Sequence, residues 1–366
     1  MLRAMDIWLP AYLRQRNWQP PKGKVVDLML CICDHFEPFH DTDKQGAMAR
    51  MQQWNEIYPK LIDPFRDADN CRPRHSFFYP IEQYDEEVVS SLAQLAEKSG
   101  GEVELHLHHK DDTEEGLRKA LEQGKTDFLR HGFLSKDDQG QVVYGFVHGN
   151  WALDNSHPEG KNCGVNNELD VLRDTGCYAD FTMPSSPDPT QTRIINKLYY
   201  AKDTLAPKSH DTGTPACVLT HRESRPKDSL LLVQGPLGLN WEQRKFGILP
   251  RLENADLTGV NPPRMDRLKV WMRQGIHVEG RPEWLFIKLH THGANPRNSK
   301  TFLGEPIRRF HQELLAQYND GTHFRVHYVT ARELVNIVHA AEDGMTGNPG
   351  SYRDYRYRRI NGPLPS

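Results

Sequence analysis

VVDLMLCICDHFEP (Val25–Pro38) decides how the rest of the chain is read. Val25–Cys33 is a nearly continuous apolar run, the pattern of a strand buried on both faces, and such strands belong to parallel sheets covered by helices. The run stops at Asp34 and His35, with Glu37 just beyond. In parallel α/β folds functional groups gather at the carboxyl ends of the strands. This one stretch therefore predicts a fold class and also the edge of the sheet on which chemistry sits.

Helical and extended patterns alternate outward from it. Gln45–Leu61 reads as a helix and RHSFFYP (Arg74–Pro80) as a second strand stopped by proline. Asp85–Ser99 sets Val88, Val89, Leu92, Leu95 and Ala96 at helical spacing and ends at Gly100 and Gly101. EVELHLHH (Glu102–His109) is a third strand, Asp112–Leu129 an amphipathic helix and VVYGFVHG (Val142–Gly149) a fourth strand. A short helix over Glu168–Gly176 leads to CYADFTMP (Cys177–Pro184), a fifth strand. Residues 185–263, rich in Pro, Gly and Thr, read as an insertion forming a β-rich flap. The alternation resumes with a helix over Arg264–Gln274, the strand EWLFIKLHTHG (Glu283–Gly293), a helix over Pro306–Tyr318, the strand HFRVHYVT (His323–Thr330) and a helix from Ala331. The expectation is one α/β domain over residues 25–345 with the insertion inside it, an extension at 1–24 and an exposed Arg- and Tyr-rich tail at 346–366.

Composition narrows the function. The 366 residues carry 46 basic and 49 acidic side chains, too even a balance to argue for nucleic acid or an anionic membrane. Six cysteines without CxxC spacing are not a disulfide framework and read as reduced thiols. No signal peptide is legible at the start, where Asp6, Pro10 and Arg14 break the apolar stretch, and no run reaches the length of a membrane span. The chain therefore reads as soluble and cytoplasmic, without stable membrane insertion. GxGxxG, P-loop and GxSxG patterns are missing, which argues against nucleotide binding and serine hydrolase chemistry.

The 18 histidines are the informative excess. His35, His106, His108, His109, His148, His290 and His292 all fall at ends of expected strands. Side chains alternate along a strand, so Glu104, His106 and His108 share one face, as do Lys288, His290 and His292. Two such HxH pairs aimed inward from different strands suit a divalent metal, zinc above all, completed by carboxylate and water. Asp34, a carboxylate ending a buried strand, needs a compensating partner. His148, Asn150, Trp151, Asp154 and His290 read as the substrate side of the rim, although His148 also suits a plain backbone hydrogen bond and Trp151 plain packing. Glu37 reads equally well as a brace for the loop it begins. His210 and Asp211 of the insertion add to the rim or sit in an ordinary loop. His323 and His327 read as packing or surface groups.

The order of DH (Asp34–His35), HLHH (His106–His109) and LHTH (Leu289–His292) resembles the polysaccharide deacetylase (NodB-like) superfamily, over roughly residues 25–340 without the insertion. The resemblance implies a distorted (β/α)7 barrel, a divalent metal and hydrolysis of an N- or O-acyl group on a carbohydrate. By this resemblance Asp34 is the general base, His292 the catalytic acid, and His35 and His106 metal ligands, with His108 or His109 as a further ligand. Departures are visible: the usual Asp-Asp is Asp-His here, and HGNW (His148–Trp151) stands where the family has an arginine motif. The strings HGNWALDN (His148–Asn155) and DFTMPSSPDPTQ (Asp180–Gln191) are similar to a divergent branch of the superfamily. Trp151 and Trp241 are then candidates for stacking on sugar rings. Rival readings are a glycosidase or phosphoesterase on the same barrel, with Asp34 or Glu37 opposed to Asp154 or Asp180, and a non-catalytic carbohydrate-binding barrel.

Overall fold

A computed structural model describes residues 4–221 and 224–360. In chain order the elements are α1 (Met5–Arg14), β1 (Val26–His35), α2 (Lys44–Ile62), β2 (Ser76–Pro80), α3 (Glu86–Ser99), β3 (Glu102–Leu107), α4 (Glu114–Leu129) and β4 (Ser135–Lys136). They continue with β5 (Val142–His148), α5 (Glu168–Asp174), β6 (Cys177–Asp180), β7 (Leu198–Ala201), β8 (Thr214–Pro215), β9 (Leu230–Val233) and the hairpin strands β10 (Gly238–Lys245) and β11 (Leu249–Glu253). The last are α6 (Met265–Gln274), β12 (Trp284–Thr291), α7 (Pro296–Phe302), α8 (Glu305–Tyr318), β13 (Phe324–Tyr328), α9 (Ala331–Glu342) and β14 (Arg358–Arg359).

The fold is mixed α/β around a mostly parallel sheet whose main path runs β12-β1-β2-β3-β5-β6-β9-β7-β8. β1 is its pivot. β12 pairs with it in parallel from Asp27 to Asp34. Its other edge is shared, β13 pairing with Val26–Leu30 and β2 with Cys33–His35. Every residue of β1 is buried, as its apolar run requires. Leu28, Leu30 and Ile32 join the core beneath α2 to α8, while Met29, Cys31 and Cys33 join a second core beneath α9. The first side is called outer below, and the second inner.

Local signals end the helices where the sequence places them. The Asp85 carboxylate accepts from the backbone N–H of Glu87 and Val88 at the start of α3, and Gly100 closes it in the left-handed region at φ 69°. Thr113 caps α4, and Thr330 with Glu333 forms a capping box on α9.

Two segments differ from expectation. The insertion is β-rich, but most of it is no flap. β9 is a run of four buried residues that needs both faces covered, so it pairs with β6, and β7 and β8 extend the same sheet. The hairpin β10–β11 alone forms a separate small sheet, with Phe246 and Ile248 exposed at its turn. The tail is partly docked rather than exposed. Arg353 is buried and bonds Tyr328 O, Glu333 and Asp69, and Arg332 donates to the carbonyls of Arg353 and Tyr357. Residues 361–366 lie outside the described part. The six cysteines are free thiols. Among the described residues no helix is long and apolar enough to cross a membrane.

Candidate metal centre

Strand parity sorts the histidines. On the inner side, His35 follows Cys33 on β1, His106 follows Glu104 on β3, and His290 follows Lys288 on β12. Glu37, two residues beyond His35, continues the same alternation past the strand end. His35, Glu37 and His106 are all buried, and one ligand atom from each lies within 4.8 Å of the others.

The surroundings orient these groups toward one another. His106 Nδ1 donates to Val147 O at 2.8 Å, which leaves Nε2 facing Glu37 Oε1 at 3.2 Å. The His35 ring packs edge-on against His106 with centroids 4.9 Å apart. Burial, helped by the charges of His292, His106 and His290, holds the His35 pKa well below its ordinary value, so its lone pair is free. Burial alone would raise Glu37. The hydrogen bond from His106 and the charges of His106, His292 and His108 outweigh it and bring the carboxyl down to about 2. Two imidazoles and one carboxylate make a donor set that could hold a divalent metal with positions left open. His108 stands at the edge, its Nε2 3.5 Å from Glu37 and its Nδ1 held at 2.7 Å by Glu82.

A cleft of about 480 Å³ opens beside this cluster, lined by Trp151, His290, His292, Asp188, Asn254 and Asp256 among others. His292 connects the two, with its ring 4.6 Å from His35 and 6.1 Å from Trp151 between centroids. Burial lowers the His292 pKa, against the opposing charges of Glu37 and Asp34. His290 Nδ1 is buried without a hydrogen-bond partner. Asn150 and Trp151 hold φ of 57° and 56°, a left-handed turn that non-glycine residues adopt at a cost of order 1–3 kcal/mol each. Gly149 before them is required by contact, since a Cβ there would come 2.3 Å from the His108 ring.

Not every expected site residue arrives here. Asp34 has the parity of Ile32 and turns outward, where Oδ2 meets His75 Nε2 at 2.9 Å and Oδ1 accepts from Gly293 N at 2.6 Å. Its compensating partner is thus His75, itself bonded to Tyr58. His109 and His148 also lie outward, in a second buried group with Glu168. Asp154 sits against that group, with its N–H donated to Glu168 and Oδ2 accepting from Ser209 N. Asn150 is exposed. Trp241, on β10, is 52% exposed and does not line the cleft, nor does Asp180, whose carboxylate accepts from Thr182. His327 is buried between Asp27 and Asp69, whereas His323 is exposed and pairs with Asp320.

Sequence reasoning passed over Glu37 as a ligand, and His75 and Glu168 as partners, while His210, weighed as a rim residue or a loop group, is fully buried. Alternation counted two residues past β1 would have found Glu37, while His75 and Glu168 needed the tertiary contacts. No protein-family model matches the chain, and no curated protein matches it in sequence.

Proposed function

We propose that the inner cluster is the centre of a metal-dependent hydrolase that removes an N- or O-acyl group from a carbohydrate, on a divergent NodB-like barrel with zinc as the metal. The observation that carries this reading is the juxtaposition of the His35, Glu37 and His106 donor set with the cleft that Trp151, His290 and His292 line. A divalent ion held there would polarise the acyl carbonyl and make water acidic enough to attack it near neutral pH. His292 stands between the donor set and the cleft, and burial lowers its pKa. It takes the proton of the attacking water and delivers it to the departing nitrogen or oxygen. Asp34 acts differently from the family's base, since both of its oxygens are engaged. It ties the end of β1 to Gly293, and so positions His292 against His35. Trp151 offers an aromatic face for a sugar ring.

The test is metal analysis of the purified chain together with acetate release from acetylated amino sugars and O-acetylated glycans. Metal bound at the inner cluster with acetate release that His292→Ala abolishes is the expected result. Normal metal content without release from any acylated sugar would refute the reaction. The glycosidase alternative has less support, because Asp154 and Asp180 do not line the cleft.

A further inference from the structure

The outer cluster has a chemistry of its own. His148 follows Phe146 on β5 and pairs in register with Leu107, so it projects toward the helices and away from the cleft. His109 leaves β3 on the same side, and Glu168 reaches both from the first turn of α5. One ligand atom each from His109, His148 and Glu168 lies within 4.8 Å of the others; Glu168 and His148 are fully buried, and the His109 side chain is 6% exposed.

Each group is anchored from behind. His109 Nδ1 bonds Asp112 Oδ2 at 3.1 Å, and His148 Nδ1 donates to the Gly149 carbonyl. Both rings therefore present Nε2 to the centre, the arrangement that carboxylates and carbonyls impose on metal-bound histidines. Glu168 Oε2 accepts from Asp154 N at 2.6 Å, which aims Oε1 at His109 Nε2 (3.1 Å) and His148 Nε2 (3.5 Å).

A hydrogen-bond network does not account for what remains. His109 donating to Glu168 satisfies that pair, yet His148 Nε2 is buried without a hydrogen-bond partner. His210 is fully buried, and neither of its ring nitrogens has one. Its turn is pinned over the cluster by Asp154, whose O and Oδ2 accept from Lys208 N and Ser209 N. Unpartnered buried nitrogens are rare, and each requires an explanation. Gly164 closes the other side, packed so tightly that a Cβ would lie 2.2 Å from the His109 ring.

We propose that His109, His148 and Glu168 form a second metal centre that binds one divalent ion, zinc by its two nitrogen donors, and serves structure rather than catalysis. These three donors lie apart from the cleft that Trp151, His290 and His292 line, which suits an ion that holds structure rather than one that meets substrate. The ion would clamp the ends of β3 and β5 to α5.

The experiment uses the full chain. Wild type should bind two zinc equivalents, while His148→Gln and Glu168→Gln should each retain one, and so should His106→Gln. Cobalt bound to His106→Gln should give the intense visible absorption of a tetrahedral site. Folded His148→Gln and Glu168→Gln with undiminished zinc content would overturn the proposal. Should those variants fail to fold, anomalous scattering from zinc-saturated wild-type crystals decides: a peak among His109, His148 and Glu168 supports the centre, and its absence there overturns it.

Discussion

The inner and outer clusters use the same materials and reach opposite ends. Each combines histidines from strand ends with one buried glutamate whose pKa the histidines pull below its ordinary value against the cost of burial. They differ in what lies beyond. The inner group borders a cleft, and His292 bridges from one to the other. The outer group is roofed by a helix, a pinned turn and a glycine. The lesson is that histidine count and spacing mark out groups that could hold a metal, whereas the face of the strand decides which group borders the cleft.

The sharpest way to break the comparison is to remove one carboxylate at a time. Glu37→Ala should empty the inner centre and lower acetate release by at least about a thousandfold, equivalent to ~4 kcal/mol of barrier. Metal stoichiometry and turnover measured on one preparation check this. Glu168→Ala should leave turnover per folded molecule near the wild-type level and instead cost about 3–5 kcal/mol of stability, the usual penalty for breaking a buried charged group's pairing. Denaturant melts of the two variants side by side would erase the contrast if their losses were the same in kind.

Asp34→Asn sharpens the inner half. A positioning role predicts full metal content with a fall of about 10–100-fold in turnover, as for groups that orient ligands. It also predicts that the pH–rate profile keeps its acidic limb, which the loss of a general base would remove. Trp151→Ala, which touches only the cleft, should raise KM by roughly tenfold, ~1.4 kcal/mol, with metal content and stability unchanged.

The smallest effect belongs to a control remote from both centres. Burial opposes charge on His327, but the carboxylates of Asp27 and Asp69 outweigh it and raise its pKa above the ordinary value. A raised histidine stabilises the fold fully below its unfolded pKa of about 6.5, and that contribution is lost as pH climbs through the folded value. Melting curves from pH 6 to 9 should show a modest decline in Tm that His327→Gln flattens, while both metal equivalents remain.

Much of this was legible in the sequence, and what was not has identifiable causes. The strands β1, β3, β5 and β12 and the helices α3, α4 and α9 lie within a few residues of their expected positions, because apolar runs, caps and glycine stops mark them locally. The parity that put His106 and His290 on one face also assigns His35 inward, and Asp34, His109 and His148 outward. Grouping all the strand-end histidines on one rim ignored that alternation. The pairing of β9 with β6 and the burial of Arg353 and His210 join residues distant in sequence, and no local pattern encodes them.

The β3–β5 ladder carries one more consequence. His106 lies opposite Val147, and Leu107 opposite His148, with the Val147 carbonyl fixing the His106 ring. A slip of one residue in either strand would reverse the facing of its side chains. His106 would turn away from Glu37, or His148 from Glu168, and in either case that carbonyl would no longer meet the imidazole. Both clusters thus assemble only when β3 and β5 are in this register, so each carries a record of the alignment of the two strands.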